Sequence, residues 1–436
     1  MNRLPTELLL LIGEHIHDLP TKRALSECSR GFQRVFQPLL YVSITLCPRR
    51  SIPAIVQNLY RHPHLASHVR HVTFGLGYHC EFRNRHHKSE HGHGIDSALM
   101  KRMLNETFAA KTEKARWKKY LSRLCAVAWM GLLLTRLSRL ETLRLAYDHD
   151  QLLQDILEKA VIRQRPFHNA PPFPFLREVM IGSLTGYRPV TTDLALPFYY
   201  FPAVREVLVC NIQERLVQQS RRSLDQLTVG SPTCQVTRAG ATMGAFDPIG
   251  MTKWIKMCPK LEHFHVVLDY SPDLHRGHFD TKAFRLSLLQ VKETLKSLRL
   301  GFMRTASDKF EFQSAAMVQY DLYDLLGSLK EFSVLQQLSI PHASFTRLKI
   351  NNSGSFAGVL PRSLEVLEIT GVVVGCSTYI VSDLEDLVRY RNHFVPQLRR
   401  SVLKIGPMVA QILCAAILRF ACEGAGVMFD IQGPDF

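Results

Sequence analysis

The sequence contains no apolar run of the length that a membrane-spanning helix requires, which is about 20 residues. Its longest apolar stretches, at 124–134 and 408–418, are expected to form buried helices. The ten cysteines include no CxxC pair. A lone Arg3 precedes the first apolar run, and no small-residue cleavage site follows it, so a signal peptide is not expected. These absences predict reduced thiols, no membrane partner and a cytoplasmic or nuclear location.

Sequence motifs of common enzyme classes are also missing. GxSxG, GxxxxGK[ST], GxGxxG and HExxH do not occur. The segment "GVVVGCS" at 371–377 places Cys376 after a strand-like run, but it lacks the helix of a nucleophile elbow. We therefore expect Cys376 to be a core or loop thiol, and we expect no catalytic residue and no cofactor. An enzyme of an unfamiliar kind is the alternative.

Acidic residues are outnumbered by basic ones, 38 to 54, which gives a formal net charge of +16. A large share of this excess lies between residues 61 and 123, in a run that includes Lys111, Lys114, Lys118 and Lys119. Such a run fits an acidic partner, but a solvated basic helix is the simpler interpretation. Because no nucleic-acid-binding module accompanies the run, a nucleic-acid partner is not expected.

A histidine-rich segment, "YHCEFRNRHHKSEHGHGID", occupies residues 78–96. A structural zinc site needs ligands at defined spacings that can form a tetrahedron. One cysteine and a run of histidines offer many pairings and specify none of them. We therefore expect a mobile polar loop across 78–94 and no metal site.

The first 46 residues contain three short helical patterns. Leu8, Leu9, Ile12 and Ile16 recur at helical spacing, and further apolar groups follow around Leu25 and Phe32. Three helices in about forty residues cannot enclose a self-sufficient core. Some of these apolar side chains must therefore face a partner or cap the domain that follows.

Residues 4–41 resemble an F-box. The resemblance rests on Leu4-Pro5, Glu7-Leu8, Ile12, Ile16, Leu25, Cys28-Ser29, Phe32, Pro38 and Leu40-Tyr41. It implies that these helices bind the Skp adaptor of a cullin-based (SCF) ubiquitin ligase and that the rest of the chain selects a protein substrate. The adaptor-binding residues that it implies are Leu4, Pro5, Glu7, Leu8, Ile12, Ile16, Leu25 and Phe32.

A six-residue phrase, apolar-x-x-apolar-x-apolar, recurs through the remainder of the chain. It begins at residues 69, 140, 176, 204, 224, 261, 295, 335 and 364. The end of each phrase has the period of a strand, and helix-compatible stretches separate the phrases. The pattern resembles irregular leucine-rich repeats, and together with an F-box it is similar to many fungal F-box proteins. It predicts an α/β fold with an F-box at 1–45 and a leucine-rich-repeat solenoid at 46–436. The solenoid is expected to have parallel strands, crossover helices and a basic, His-rich insertion at about 78–120. An unrelated α/β domain is the competing architecture.

Polar residues between the apolar positions of each phrase are expected to line a concave strand face, where solenoids bind their partners. The predicted substrate-binding residues are Arg144, Glu178, Glu206, His263, His265, Arg299, Gln337 and Glu368. The sequence thus predicts the substrate-recognition subunit of an SCF-type ligase. A repeat scaffold outside any ubiquitin ligase is the alternative, and it differs only in whether the first helices bind the adaptor.

Overall fold

The computed structural model describes most of the chain. The described residues are 4–46, 51–74, 95–146, 151–182, 192–210, 234–244, 252, 254–270, 281–304, 327–342, 356–370, 377–405 and 415–433. The predicted loop at 78–94, the phrase that begins at 224 and Cys376 lie outside these residues, as does most of the apolar stretch at 408–418.

Three helices open the chain, as the sequence predicts: α1 (Thr6–His15), α2 (Leu19–Cys28) and α3 (Arg30–Leu39). Asp18 caps α2 by accepting a hydrogen bond from the backbone N–H of Thr21 at 2.8 Å. Ser29 caps α3 in the same way, through the N–H of Phe32 at 3.2 Å. Each of these caps satisfies a backbone donor that would otherwise lack a partner at a helix start.

Twelve strands occur among the described residues, and they follow one another in chain order. They are β1 (Ser43–Leu46), β2 (His71–Phe74), β3 (Thr142–Leu145), β4 (Glu178–Ile181), β5 (Glu206–Cys210), β6 (Arg238–Gly244), β7 (His263–Tyr270), β8 (Ser297–Arg304), β9 (Gln337–Pro341), β10 (Val366–Thr370), β11 (Arg400–Lys404) and β12 (Met428–Gln432). Among the described residues, the pairs β1–β2, β2–β3, β3–β4 and those from β6 to β12 are all parallel. Parallel neighbours require crossover connections, which the intervening helices supply.

The remaining α-helices of the described residues lie between these strands. They are α4 (Ser51–Arg61), α5 (Pro63–Ala66), α6 (Ser97–Thr107), α7 (Lys111–Ser122), α8 (Ala126–Leu134), α9 (Gln151–Val161), α10 (Thr192–Ala195), α11 (Thr281–Leu288), α12 (Ser377–Arg389), α13 (Arg391–Phe394) and α14 (Ala415–Gly424). Short 3₁₀ turns at Leu196–Tyr200, Leu289–Val291 and Phe356–Val359 replace or extend helices in three repeats. Among the described helices, none has the length and apolar content needed to cross a membrane.

The chain divides into two compact units. Unit 1 comprises residues 1–207 with 224–233, and unit 2 comprises 208–223 with 234–436. In unit 1 every residue of α8 is buried, as expected for the apolar stretch at 124–134. Gly131 allows this close packing, because a Cβ at that position would lie 2.8 Å from the Trp117 ring. The indole N–H of Trp129 donates to the Leu121 carbonyl at 3.2 Å, so its burial leaves that donor satisfied.

Unit 2 repeats one arrangement from strand to strand. The apolar positions of successive strands align in register, as in Phe264, Leu298 and Leu338, and each of these side chains is at most 2% exposed. A leucine three residues before each aligned position, at 261, 295 and 335, is fully buried as well. This stacking explains the recurring phrase, because all three of its apolar positions enter the core. The predicted α/β architecture of parallel strands with crossover helices is therefore confirmed.

Candidate protein-interaction surfaces

Helix α1 packs against α3 through a glycine. A Cβ at Gly13 would meet the Leu39 side chain and would lie 3.1 Å from Cε1 of Phe36. The absence of a side chain at Gly13 therefore allows α1 to lie directly on the buried face of α3. Leu9 joins this contact, and it forms a small core with Phe32, Val35 and Phe36.

The opposite face of α1 is apolar and open to solvent. The exposed fractions are 40% for Leu4, 46% for Leu8, 52% for Leu11 and 46% for Ile12. Leu11 and Ile12 follow Leu8 by three and four residues, so these three side chains form one stripe along the helix, and Leu4 lies just before its first turn. Leu19, at the start of α2, is 55% exposed. We call these five residues the apolar stripe; within the described residues nothing covers them.

The eight predicted adaptor-binding residues thus divide into two groups. Leu4, Pro5, Glu7, Leu8 and Ile12 are exposed. Ile16 and Leu25 are partly buried against the small core, and Phe32 belongs to that core with 9% exposure. The second group therefore supports the helices from within. Leu11 and Leu19 extend the exposed group. The helical spacing of Leu11 from Leu8 was a sequence signal that could have included it, whereas Leu19 lies on the next helix.

The open face of the strands carries the residues that alternate with the buried ones. Their rows follow from the strand register. In unit 1, His71, Thr142 and Glu178 align in one row. Thr73, Arg144 and Met180 align in the next. We call this side of the strands the open face.

Predicted substrate-binding residues of unit 1 lie on this face. Arg144 and Glu178 are exposed, and Glu206 is half-buried. Directly before β2 and β3, Arg70 pairs with Glu141 through an N–O distance of 2.9 Å between two partly exposed side chains. The unit 1 face is therefore mixed in charge.

The open face of unit 2 contains the other five predicted residues. His263, His265 and Arg299 are half-buried, whereas Gln337 is exposed. The register aligns His263 with Ser297 and Gln337, and it aligns His265 with Arg299 and Ser339. Strand β6 adds Arg238, which is exposed and is the direct neighbour of His263. The sequence phrase does not reveal β6, because small residues, Ala239 and Ala241, fill its buried positions.

Glu368, the last of the predicted residues, lies in a ladder of polar contacts across strands. Its Oε1 accepts a hydrogen bond from Ser339 Oγ at 2.7 Å, and Lys404 Nζ lies 3.0 Å from the same oxygen. On the next pair of strands, Arg400 contacts the Asp430 carboxylate at 2.6 and 2.8 Å. The charges on the open face of β10–β12 therefore satisfy one another within the chain.

Several buried thiols lie in the repeats, and their surroundings keep them protonated. A hydrogen bond with Cys234, followed by burial, raises the pKa of Cys258 well above its usual value. Burial raises the pKa of Cys422 to about 11. Among the described residues, no group of three or more His, Cys, Asp or Glu side chains is arranged to hold a metal ion.

Comparison with known proteins agrees with this architecture. A family model described as a leucine-rich repeat domain matches residues 184–427. No curated protein matches the chain. The family match begins after β4 and ends before β12, so it covers more than half of the 436 residues. The chain therefore belongs to the leucine-rich repeat family, whose members typically act as protein-interaction modules.

Proposed function

We propose that this protein is a substrate receptor of a cullin-type ubiquitin ligase. In this proposal α1–α3 are an F-box that binds the Skp adaptor, and the open face of the repeats binds a protein substrate. The protein itself has no catalytic role, and it acts in the cytoplasm or the nucleus.

The apolar stripe carries the first half of this proposal. A leucine that is half exposed leaves free energy to be gained, because full burial of a Leu or Ile side chain is worth about 1.5–3 kcal/mol. Four such side chains lie on two consecutive helices and the fifth, Leu4, lies just before them, which is more apolar surface than scattered exposure of single residues explains. The helices also carry the order of residues on which the resemblance to an F-box rests.

The open face supports the second half. Repeat proteins of this kind bind along extended surfaces. The face of unit 2 presents arginine, histidine, glutamine and glutamate side chains in aligned rows. Small molecules usually require a concave and mostly apolar pocket instead. A folded protein or a peptide is the partner that suits such a surface.

A pull-down with purified Skp adaptor tests the proposal. The full chain should be retained, and the double variant Leu8→Asp/Ile12→Asp should not, because two charges would enter an apolar interface. Glu14→Lys/His17→Glu is a matched control with two changed charges on exposed positions outside the stripe. It should bind like the wild type.

Failure of the wild-type chain to bind the adaptor would contradict the proposal and would favour a repeat scaffold outside the ligase. Equal binding by Leu8→Asp/Ile12→Asp would instead show that the apolar stripe is not the contact surface.

A further inference from the structure

The segments that lead into β2, β3 and β4 of unit 1 stack on one another. The N–H of Glu141 donates to the Arg70 carbonyl at 2.7 Å, and the N–H of Arg177 donates to the Glu141 carbonyl at 2.8 Å. These residues directly precede the three strands, and the residues before them, at 69, 140 and 176, are fully buried. On the other side of this buried row the side chains are exposed again. We call the six solvent-accessible residues around it the entry rim: His68, Arg70, Arg139, Glu141, Phe175 and Arg177.

The entry rim has more positive charge than the chain neutralises. Its one acid, Glu141, pairs with Arg70 at 2.9 Å. Within the described part of the chain, the exposed side chains of Arg139 and Arg177 have neither an ion pair nor a hydrogen bond. Burial, followed by nearby positive charges of which Arg139 contributes most, lowers the pKa of His68. Basic groups are therefore close enough at this rim to repel one another.

The same positions in unit 2 are arranged differently. Before β7 and β8, Lys296 pairs with Glu262 at 3.1 Å. Before β6 and β7, Lys260 Nζ donates to Gln235 Oε1 at 2.8 Å. The lysines before these strands thus have partners within the chain. Unpaired arginine is therefore a local property of the entry rim and not a general one of the repeats, which points to a local partner of opposite charge.

An aromatic side chain lies between the two unpaired arginines. Phe175 is 50% exposed. It precedes β4 by the same number of residues as Arg139 precedes β3, and adjacent strands lie about 4.8 Å apart. Arg177 follows it by two residues. Arginine and aromatic residues are the types enriched at the energetic centres of protein interfaces.

We propose that the entry rim binds an acidic segment of the protein substrate, with carboxylates on Arg139 and Arg177 and an apolar side chain on Phe175. Guanidinium groups bind carboxylates through paired N–H donors, and an unpaired Arg is free to do so. The inference rests on the proposed function in one respect, since it takes the owner of this segment to be the substrate.

A protein segment suits the rim better than a nucleic-acid strand. Single strands need a continuous basic track and several aromatic platforms for successive bases. Here Glu141 lies between Arg70 and Arg177, and Phe175 is the one aromatic residue of the six. Exposed Glu178 follows directly on β4. A continuous polyanion would therefore meet carboxylates, whereas a segment with spaced acidic groups would not.

Selection from a random peptide library displayed on phage tests the inference, with the purified full chain immobilised. The rim variants are Arg139→Gln/Arg177→Gln and Phe175→Ala. The matched control for charge is Lys118→Gln/Lys119→Gln, which removes two exposed charges from α7 in the same unit. The control for apolar surface is Ile162→Ala, because Ile162 is 47% exposed in unit 1.

The wild type should enrich peptides in which Asp or Glu lies beside an aromatic or aliphatic residue. Fluorescence anisotropy with the enriched peptides should then show a loss of affinity of about tenfold or more in Arg139→Gln/Arg177→Gln and about fivefold or more in Phe175→Ala. Both controls should keep the wild-type affinity. Circular dichroism should show equal folding of all variants, since each changed side chain is exposed.

Three results would overturn the inference: no enrichment of acidic peptides, an equal loss of affinity in the charge control, or single-stranded DNA that binds more tightly than the peptides and is lost in the rim variant. Retention on the Skp adaptor separates these outcomes from the proposed function. If the adaptor retains the chain but no acidic peptide is selected, the substrate chemistry is wrong and the receptor function stands. If acidic peptides bind the rim but the adaptor does not retain the chain, the ligase assignment fails instead.

Discussion

Replacement of Gly13 by valine should loosen the three N-terminal helices. The valine side chain would enter the contact between α1 and α3, where even a Cβ meets Leu39 and lies 3.1 Å from the Phe36 ring. Phe36 is 1% exposed, so it has little room to move away. The helices would have to separate, or the Leu39 side chain would have to leave its place.

The magnitude follows from two opposing contributions. Overpacking of a well-filled core costs about 1–3 kcal/mol. Replacement of glycine by valine favours the helix by only about 0.4 kcal/mol, because the helix propensity of valine is itself low. The net expectation is that opening of α1–α3 becomes easier by about 0.6–2.6 kcal/mol, which corresponds to roughly 3-fold to 80-fold faster exchange of the amides that this opening exposes.

Hydrogen exchange with peptide-level mass spectrometry measures this effect in the full chain. Peptides within Thr6–Leu39 should lose protection, and peptides from unit 2 should not. Glu14→Ala is the control, since Glu14 is exposed and adjacent to Gly13. Unchanged protection in Gly13→Val would refute the packing of α1 on α3 described above.

Three further predictions concern thiols, a buried ion pair and acid sensitivity. In the native protein iodoacetamide should modify exposed Cys28 far faster than Cys422, because the Cys422 thiol is buried and its pKa is raised to about 11. Mass spectrometry after brief labelling measures both rates, and comparable modification of the two thiols would contradict the burial of Cys422. Glu368→Gln should lower the free energy of unfolding by about 1–3 kcal/mol, because it removes the charge that the mostly buried Lys404 ammonium contacts. Urea titration measures this change, and an unchanged midpoint would contradict the stabilising role of the Glu368–Lys404 ion pair. Hydrogen bonds from Thr21 lower the pKa of the Asp18 carboxyl, so its stabilisation of α2 is complete above the ordinary carboxyl range and is lost as the pH falls through the lowered pKa. Asp18→Asn retains a capping side chain without this titration, and acid-induced exchange in α2 that is identical in the two proteins would count against the cap.

The sequence was sufficient to predict the type of fold because the apolar positions of the repeat phrase coincide with buried residues. Leu261, Phe264 and Val266 of one phrase are all buried, and the same spacing recurs at Leu295, Leu298 and Leu300. Three apolar positions in a fixed order require a strand and the turn that precedes it. Spacing between phrases carries less information, because helices, 3₁₀ turns and loops of different lengths can all connect parallel strands.

The repeat phrase does not identify strands that carry small or polar residues at their buried positions. Ser401 of β11 is 2% exposed and aligns with Leu367 of β10. Ala239 and Ala241 occupy buried positions of β6. A side chain as small as alanine can occupy such a position when larger neighbouring side chains fill the remaining space. Arg238 was missed for that reason, although it aligns with His263 on the open face.

The site could be predicted only in part, because exposure depends on which face of each helix packs inward. Leu8 and Leu9 are adjacent in sequence and equally apolar, yet Leu8 is 46% exposed and Leu9 is 9% exposed. The helical period separates them, but only the packing of Gly13 on α3 determines which of the two faces is covered.

Retention on the Skp adaptor tests the central claim most directly. Purified adaptor is immobilised, and the full chain, Leu8→Asp/Ile12→Asp and Glu14→Lys/His17→Glu are added in separate reactions. The account predicts that the wild type and the control are retained and that Leu8→Asp/Ile12→Asp is not, because Leu8 and Ile12 lie on the apolar stripe. No retention of the wild-type chain would contradict the claim that this protein links a substrate to a ubiquitin ligase.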